Sequence, residues 1–378
     1  MRSFLLFLFL PSLYAQRWTV QYFYDEPRAQ LTIADLAFPT PQRGVAVGWT
    51  QERGGKPKPV SLATSDGGEH WTLAPLPDVP RSLFFLNDSS LTELGGWMVG
   101  ENAIWFTGDG RAWRKISDQS RPDKKLKPAP PGGLILRVWF LDPQHGYAAG
   151  YQKSVLQTLD GGHTWKPLPD AAKPPGSPAF TAYSQIAFDG PLGLIVGASI
   201  PPRNDLGPFP SWMEPERASK QRERATETLL LQTRDRGSSW TAMNTPLFGL
   251  ITGLRMTGPD ALDVFSYGPS SEWPSEVYRL DLTKGASKSV FREKDRKVTD
   301  IALFQGHTAF LAAVEPTGSL NTAPIPGKVK ILTSSDLTAW KEMPVDYRAE
   351  ATTLMLAGPD AHHMWAGTDT GMILRLVE

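Results

Sequence analysis

Five aspartates recur in one local setting, and they are the first residues to question for chemistry. Thr64-x-Asp66-x-Gly68-x-x-Trp71, Thr158-x-Asp160-x-Gly162-x-x-Trp165 and Thr233-x-Asp235-x-Gly237-x-x-Trp240 share one spacing. The stretches Thr107-x-Asp109 to Trp113 and Ser334-x-Asp336 to Trp340 are one residue shorter between Asp and Trp. A hydrolytic site needs its carboxylates once, brought together from different elements. A repeated setting instead describes a tight turn, an Asp-box. The carboxylate accepts backbone N–H groups, Thr closes the loop, Gly supplies positive φ, and Trp opens the next strand as an apolar plug. Asp66, Asp109, Asp160, Asp235 and Asp336 are therefore read as structural.

Other chemistries find little support. The six histidines (His70, His145, His163, His307, His362 and His363) fall in boxes or short turns, without the spacing of a metal site. There is no Cys, hence no disulfide, thiolate site or lipoprotein anchor, and no nucleophile elbow or phosphate loop is present. No metal and no cofactor are expected. Asp35, Glu101 and Asp300 could reach the mouth of a central channel, yet no nucleophile can be named. The remaining candidates are cationic and aromatic: Arg28, Arg81, Arg137, Arg296 and Arg348, with Trp49, Tyr151 and Trp212. Arg28, Arg81, Arg296 and Arg348 recur where inner strands begin. Several guanidinium groups there could hold an anionic ligand or acidic segment, whereas the bland alternative is solvated loop ends.

The elements that must position these residues follow from a repeat. Ala37-Phe-Pro-Thr-Pro-Gln-Arg-Gly-Val-Ala-Val-Gly48 aligns with Trp139-Phe-Leu-Asp-Pro-Gln-His-Gly-Tyr-Ala-Ala-Gly150, and each precedes a full box. One unit reads as an apolar inner strand a, a strand b after a Pro/Gly/Asp turn, a strand c entering the box, and a strand d starting at its Trp. The 34 Gly and 34 Pro serve as turns between many short strands, because a 40% hydrophobic content is too high for disorder. The units Leu31–Pro77, Ser82–Ser117, Leu134–Asp170, Phe180–Asn244, Leu250–Phe291, Val298–Pro344 and Glu350–Glu378 predict an all-β, seven-bladed β-propeller of four-stranded blades. The fifth has lost its box, and miscounting it would give six or eight. The last unit lacks strand d, and Arg17-Trp18-Thr19-Val20 resembles His70-Trp71-Thr72-Leu73. The N-terminal strand is thus expected to complete the last blade and close the ring.

Residues 1–15 read as a signal peptide: Arg2, the apolar run Phe4 to Leu10, Pro11, and small Ala15 before Gln16. Residues 16–378 form the propeller, with an insertion at 199–227 in blade four. No later run nears the roughly 20 apolar residues of a membrane helix, so a periplasmic or secreted protein without an integral membrane segment is expected. Lys+Arg and Asp+Glu balance at 39 each, which gives no pull toward nucleic acid. The long connections are all b–c or d–a, on the face opposite the boxes, where loops on a rigid scaffold usually carry binding. The insertion reads as a helix from Pro215: a solvated helix over the rim, or a docking element anchored by Trp212.

The apolar a strand, the run ending His145-Gly-Tyr-Ala-Ala-Gly150 and Thr158-Leu-Asp-Gly-Gly-His-Thr-Trp165 resemble the photosystem II assembly/stability factor family, within the bacterial neuraminidase-repeat (Asp-box) superfamily. The resemblance covers nearly the whole mature chain and rests on structural residues. It implies a non-enzymatic assembly role, and together with the long loops the reading is a binding/assembly propeller that presents its loop-rich face to a protein or glycan ligand. Sialidases share the box but carry an Arg-Ile-Pro element ahead of the first blade, where this chain has Asp25-Glu-Pro-Arg28. A sialidase-like or related glycoside hydrolase is the alternative.

Overall fold

Strand b is the most buried part of each unit, and its composition shows why. Gly96–Gly100 and Gly146–Gly150 are buried at every position, as is Ala309–Val314. Both faces of these strands meet neighbouring sheets, so small and apolar residues run uninterrupted. Glycine at the end of the strand permits close approach: a Cβ on Gly150 would lie 1.9 Å from the Leu134 carbonyl oxygen.

The structure, a computed structural model, describes residues 16–86, 94–126, 132–174, 176–200, 226–243, 249–267, 271–315, 319–320 and 323–377. Six four-stranded antiparallel sheets and a seventh with a short extra strand make seven blades of a β-propeller. In blade one, Ala29–Ala37, Gly44–Glu52, Lys58–Thr64 and Thr72–Pro75 are strands a to d. Blade seven comprises Leu354–Ala357, Trp365–Thr368 and Met372–Val377, with Arg17–Phe23 as its outermost strand. There Trp18 pairs with Leu376 and Val20 with Leu374, and Trp18, 1% exposed, donates its backbone N–H to Pro344 O at 2.8 Å. No α-helix occurs among the described residues.

The fifth blade, despite lacking a box, is complete, with Leu250–Thr257, Asp260–Ser266, Ser275–Asp281 and Ala286–Phe291. Its last hairpin turns at Asp281-Leu-Thr-Lys-Gly285. Asp281 Oδ1 accepts from the backbone N–H groups of Thr283 and Lys284, and Gly285 takes φ +63°. The carboxylate and the glycine make the turn without the Thr and Trp of a box.

Six inner strands share one device, a β-bulge at the same level: between Ile33/Asp35, Pro80/Ser82, Ile135/Arg137, Tyr183/Gln185, Ile251/Gly253 and Val298/Asp300. A bulge leaves an unpaired residue and re-aims side chains, and here they staple adjacent blades. Ser82 Oγ donates to Leu136 O at 2.8 Å, Ser184 Oγ to Ile251 O at 3.1 Å, and Thr299 Oγ1 to Leu354 O at 2.8 Å.

Between blades one and two, Asp78 is buried and accepts five hydrogen bonds. They come from the N–H groups of Val79, Asn102 and Ala103, the Asn102 amide and the Trp105 indole, at 2.9–3.2 Å. Asp78→Ala strands these donors, and urea denaturation is expected to report a loss of about 3 kcal/mol. A change under about 0.5 kcal/mol, the usual scale of surface substitutions, would show that this carboxylate does not organise the turn.

Candidate functional site

In the three full boxes both carboxylate oxygens of the aspartate are engaged in the turn itself. Asp160 Oδ1 accepts from the Thr158 hydroxyl and the Thr164 N–H, both at 2.8 Å, while Oδ2 accepts from the Thr164 hydroxyl at 2.6 Å. The Thr164 bonds hold the Asp160 carboxyl down at about 2, well below its ordinary range. Thr158 Oγ1 also accepts from Gly162 N at 2.9 Å. A carboxylate so occupied is a poor general acid or base at neutral pH.

The full boxes have a second structural role. Trp365 in strand b of blade seven stacks on Phe38 of blade one, centroids 3.6 Å apart and 2° from parallel, and its indole N–H donates to Gly67 O at 3.3 Å. Trp97 stacks on Phe140 at 3.8 Å and donates to Gly161 O at 3.1 Å. Tyr147 lies against Phe188 at 5.4 Å and donates to Gly237 O at 3.0 Å. Each full box thus offers a carbonyl to an aromatic donor of the preceding blade. At the corresponding b-strand position, Val45 and Leu262 precede the two contracted boxes, while Leu194 and Phe310 precede blades five and seven, which have none. Full-length boxes occur only where a donor faces them.

In an antiparallel meander the b–c and d–a connections of every blade lie at the same end. At that end the candidate arginines do not converge. Arg81 donates from Nη1 to Gly133 O at 2.8 Å and Ile135 O at 3.3 Å, tying two inner strands. Arg296 pairs with Asp295 at 2.7 Å and Glu342 at 2.9 Å. Arg348 grips Asp346 through Nε at 3.0 Å and Nη2 at 2.7 Å, which brings Asp346 down to about 2. Arg137 approaches Asp35 across the inner strands at 3.7 Å. Burial raises the Asp35 carboxyl, opposed by Arg137 and by the N–H groups of Leu83 and Leu36. On the other side of the ring Arg255 pairs with Asp300 at 3.2 Å, and Asp300 accepts from Ile301 N and Leu356 N.

Arg28 stands apart. It is exposed and lines a hollow of about 870 Å³ between Glu26–Gln30 and Gln51–Gly54. Arg53 shares the hollow, and neither guanidinium has an ion-pair partner among the described residues. Lys58 takes Glu52 at 2.6 Å. Trp49, half-buried, pairs with Thr32 and Pro59 on the strand that leads to this hollow. Trp212 lies outside the described residues.

Tyr151 opens a hairpin that clamps two long loops of the same face. Its N–H donates to Leu134 O at 2.9 Å, and it bridges Ala182. Gln152 and Lys153 both hold positive φ, 53° and 59°, a conformation unusual for non-glycine residues. Gln152 exchanges two hydrogen bonds with the Asp123 backbone, at 2.8 and 3.1 Å. Lys153 Nζ donates to the carbonyls of Ala172, Pro174 and Gly176, and burial lowers its pKa.

Sequence alone does not single out Arg53 or the cluster on blade five. There Arg292 and Lys294 lie 4.8 and 5.3 Å from the Trp273 ring centre. Buried Glu276 accepts from Tyr267 at 3.1 Å and Ser289 at 2.7 Å. The latch aromatics had a legible signal, an aromatic in the first two residues of strand b (Gly96-Trp97, Gly146-Tyr147). Among the described residues no cluster of His, Asp and Glu is placed to hold a metal ion, and no helix is long and apolar enough to cross a membrane.

No protein-family model matches the chain. It is 34% identical over 79 residues to the photosystem II stability/assembly factor HCF136, chloroplastic, of Oryza sativa subsp. japonica, and 32% identical over 96 residues to that of Arabidopsis thaliana. These alignments cover 20% and 24% of this chain and 18% and 22% of the relatives, so the chain matches about a fifth of their length. The structure of YCF48 bound to D1 peptide superposes with a TM-score of 0.56 at 16% identity, over 96% of this chain and 97% of that one. YCF48 from Cyanidioschyzon merolae gives 0.55 at 15%, over 95% and 98%. The chain is similar to photosystem II stability/assembly factors in sequence over a limited stretch, and it shares the fold of YCF48 along nearly all its length.

Proposed function

We propose that this chain is a non-enzymatic binding propeller that holds a segment of a partner protein on the face carrying its b–c and d–a connections. The observation that carries this reading is the hollow of about 870 Å³ at blade one, where Arg28 and Arg53 stand exposed with no ion-pair partner among the described residues. Unpaired guanidinium forks in a concavity favour carboxylates of an acidic segment. The bulge staples and latch aromatics make the ring a rigid support for such loops. The YCF48 structure that shares this fold has a D1 peptide bound, which agrees with a peptide-holding role.

The reading includes export, on the pattern of Arg2, Phe4 to Leu10 and Ala15. Expressed with its leader in a secretion-competent host, the protein is expected outside the cytoplasm with Gln16 as its first residue by intact mass. A cytoplasmic, full-length product removes export from the reading.

Affinity capture from the native extract, with wild type beside an Arg28→Glu/Arg53→Glu double variant, tests the binding role. A specific partner held at low salt, weakened at least about tenfold by the variant and weakened by high salt, is the expected result. A partner retained equally by both proteins moves the site elsewhere. Turnover of a fluorogenic glycoside, lost in an Arg28→Ala/Arg348→Ala variant, would replace binding with hydrolysis.

A further inference from the structure

The box-bearing end of the ring carries a recess of its own, at the seam of blades one and two. It has a volume of about 540 Å³ and is lined by Arg43 from the a–b turn of blade one, and by Phe106, Gly108, Asp109, Ala112, Trp113 and Arg114 from the c–d hairpin of blade two. This volume falls within the usual range for small-molecule sites, about 300–1,000 Å³.

The contracted box equips this recess in a way the full boxes cannot. In each full box the second aspartate oxygen is taken by the side chain four residues on: His70 on Asp66 at 2.7 Å, Thr164 on Asp160 at 2.6 Å, Ser239 on Asp235 at 2.6 Å. In the contracted box that position is Trp113, whose side chain makes no such bond. Asp109 Oδ1 accepts from the Thr107 hydroxyl at 3.1 Å and from Arg111 N and Ala112 N, both at 2.8 Å. Asp109 Oδ2 has no hydrogen-bond partner among the described residues. The deletion of one residue frees an acceptor.

Arg43 and Arg114 line the recess with Asp109, and Arg111, next in the turn, adds its positive charge near that carboxylate. Arg43 is exposed, with its backbone held by Thr40 Oγ1 at 3.0 Å. Arg114 lies with its guanidinium carbon 4.6 Å from the Phe106 ring centre. Neither has a carboxylate within ion-pair range among the described residues. The recess therefore combines two guanidinium forks, one free carboxylate oxygen and partly buried aromatic rings. A bare anion would gain from the arginines but be repelled by Asp109. A neutral sugar would leave both forks unused, and an acidic peptide side chain has no hydroxyl to give to Asp109. A ring that carries a carboxylate, several hydroxyls and an apolar C–H face matches all three.

We propose that this recess binds a hexuronic acid unit of an acidic saccharide, with its carboxylate on Arg43 and Arg114, a hydroxyl donating to Asp109 Oδ2, and its C–H face against Trp113 beside Phe106. The site is separate from the hollow at Arg28 and does not depend on the partner-binding reading.

Titration calorimetry with di-D-galacturonate, neutral digalactoside, inorganic phosphate and a triglutamate peptide tests it, on wild type, Arg43→Ala, Arg114→Ala and Trp113→Phe. Both arginines are exposed, and near-ultraviolet circular dichroism checks that each variant keeps the wild-type fold. Saturable digalacturonate binding is expected, weakened about tenfold by either arginine change, with digalactoside at least about tenfold weaker. Absence of saturable binding, equal affinity for the neutral sugar, indifference to both arginine variants, or preference for phosphate or triglutamate over digalacturonate each overturns the proposal.

Discussion

Trp365→Ala is expected to lower the free energy of unfolding by about 3–5 kcal/mol, the range for truncating a large buried aromatic. Trp365 is fully buried and joins three parts of the chain. It stacks on Phe38 of blade one, donates to the Gly67 carbonyl of that blade's box, and reaches Gln21 Oε1 in the N-terminal strand at 3.1 Å. Gln21 in turn donates to Gly67 O at 3.2 Å. Its removal opens a cavity and leaves a box carbonyl without its indole partner at the seam where the two ends of the chain meet. Trp365→Phe keeps most of the apolar contact and loses the N–H, so a smaller loss of about 1–2 kcal/mol is expected. Urea denaturation of both variants separates packing from the hydrogen bond. A Trp365→Ala midpoint equal to wild type would mean that the latch does not hold the seam.

The second large effect has the opposite sign. Asp263, 1% exposed, shares one face of its strand with Ala261 and Phe265, which pack in a cluster with Leu194, Val196 and Leu230 of blade four. Tyr278 is its cross-strand neighbour. Asp263 Oδ1 has no hydrogen-bond partner among the described residues, and burial pushes its carboxyl up to about 8. In the unfolded chain the group ionises near pH 4. A raised folded pKa contributes stability that is complete below about pH 4 and is lost as pH rises toward 8, at about 1.4 kcal/mol per pH unit. The other six blades place Ala46, Met98, Ala148, Ile195, Leu311 and Ala366 at this level of strand b. Asp263→Leu is therefore expected to stabilise the protein at pH 7–8 by about 1–4 kcal/mol and to flatten its stability between pH 5 and 8. Thermal melts across pH, with wild type alongside, give the answer. A variant less stable than wild type at pH 8 would show that the carboxylate has a partner in solution.

The box and bridge carboxylates titrate in a different window. Asp66 and Asp160 are held below their ordinary range by hydrogen bonds from His70 and Thr164, and Asp346 by its contact with Arg348. Depressed groups contribute stability above about pH 4 that is lost as pH falls. Acid loss and alkaline loss therefore arise from different residues, and Asp263→Leu is expected to alter only the second.

Much of the architecture was legible because each blade is written in local chemistry. A turn that needs Asp, Gly and Thr at fixed offsets declares itself wherever it occurs, and Gly-bounded apolar runs of five residues mark strands buried on both faces. The fifth blade shows the limit of that signal: Asp281 and Gly285 close its hairpin with a turn of different spacing, which no box pattern records. The candidate site was less legible. Arg28, Arg296 and Arg348 look alike in sequence, each a cation in a d–a connection. Arg296 and Arg348 are paired with Glu342 and Asp346, while Arg28 lies in a hollow with no ion-pair partner among the described residues.

By itself the sequence determined the repeat, the number and order of strands, and the turns in which the repeated aspartates sit, because turns and strand periodicity depend on residues close together in the chain. Only the tertiary structure decided which charges are free. An ion pair, a latch between Trp365 and Gly67, or a buried Asp263 depends on what a neighbouring blade brings up from tens to hundreds of residues away. The ring closes those distances, and no local pattern records them.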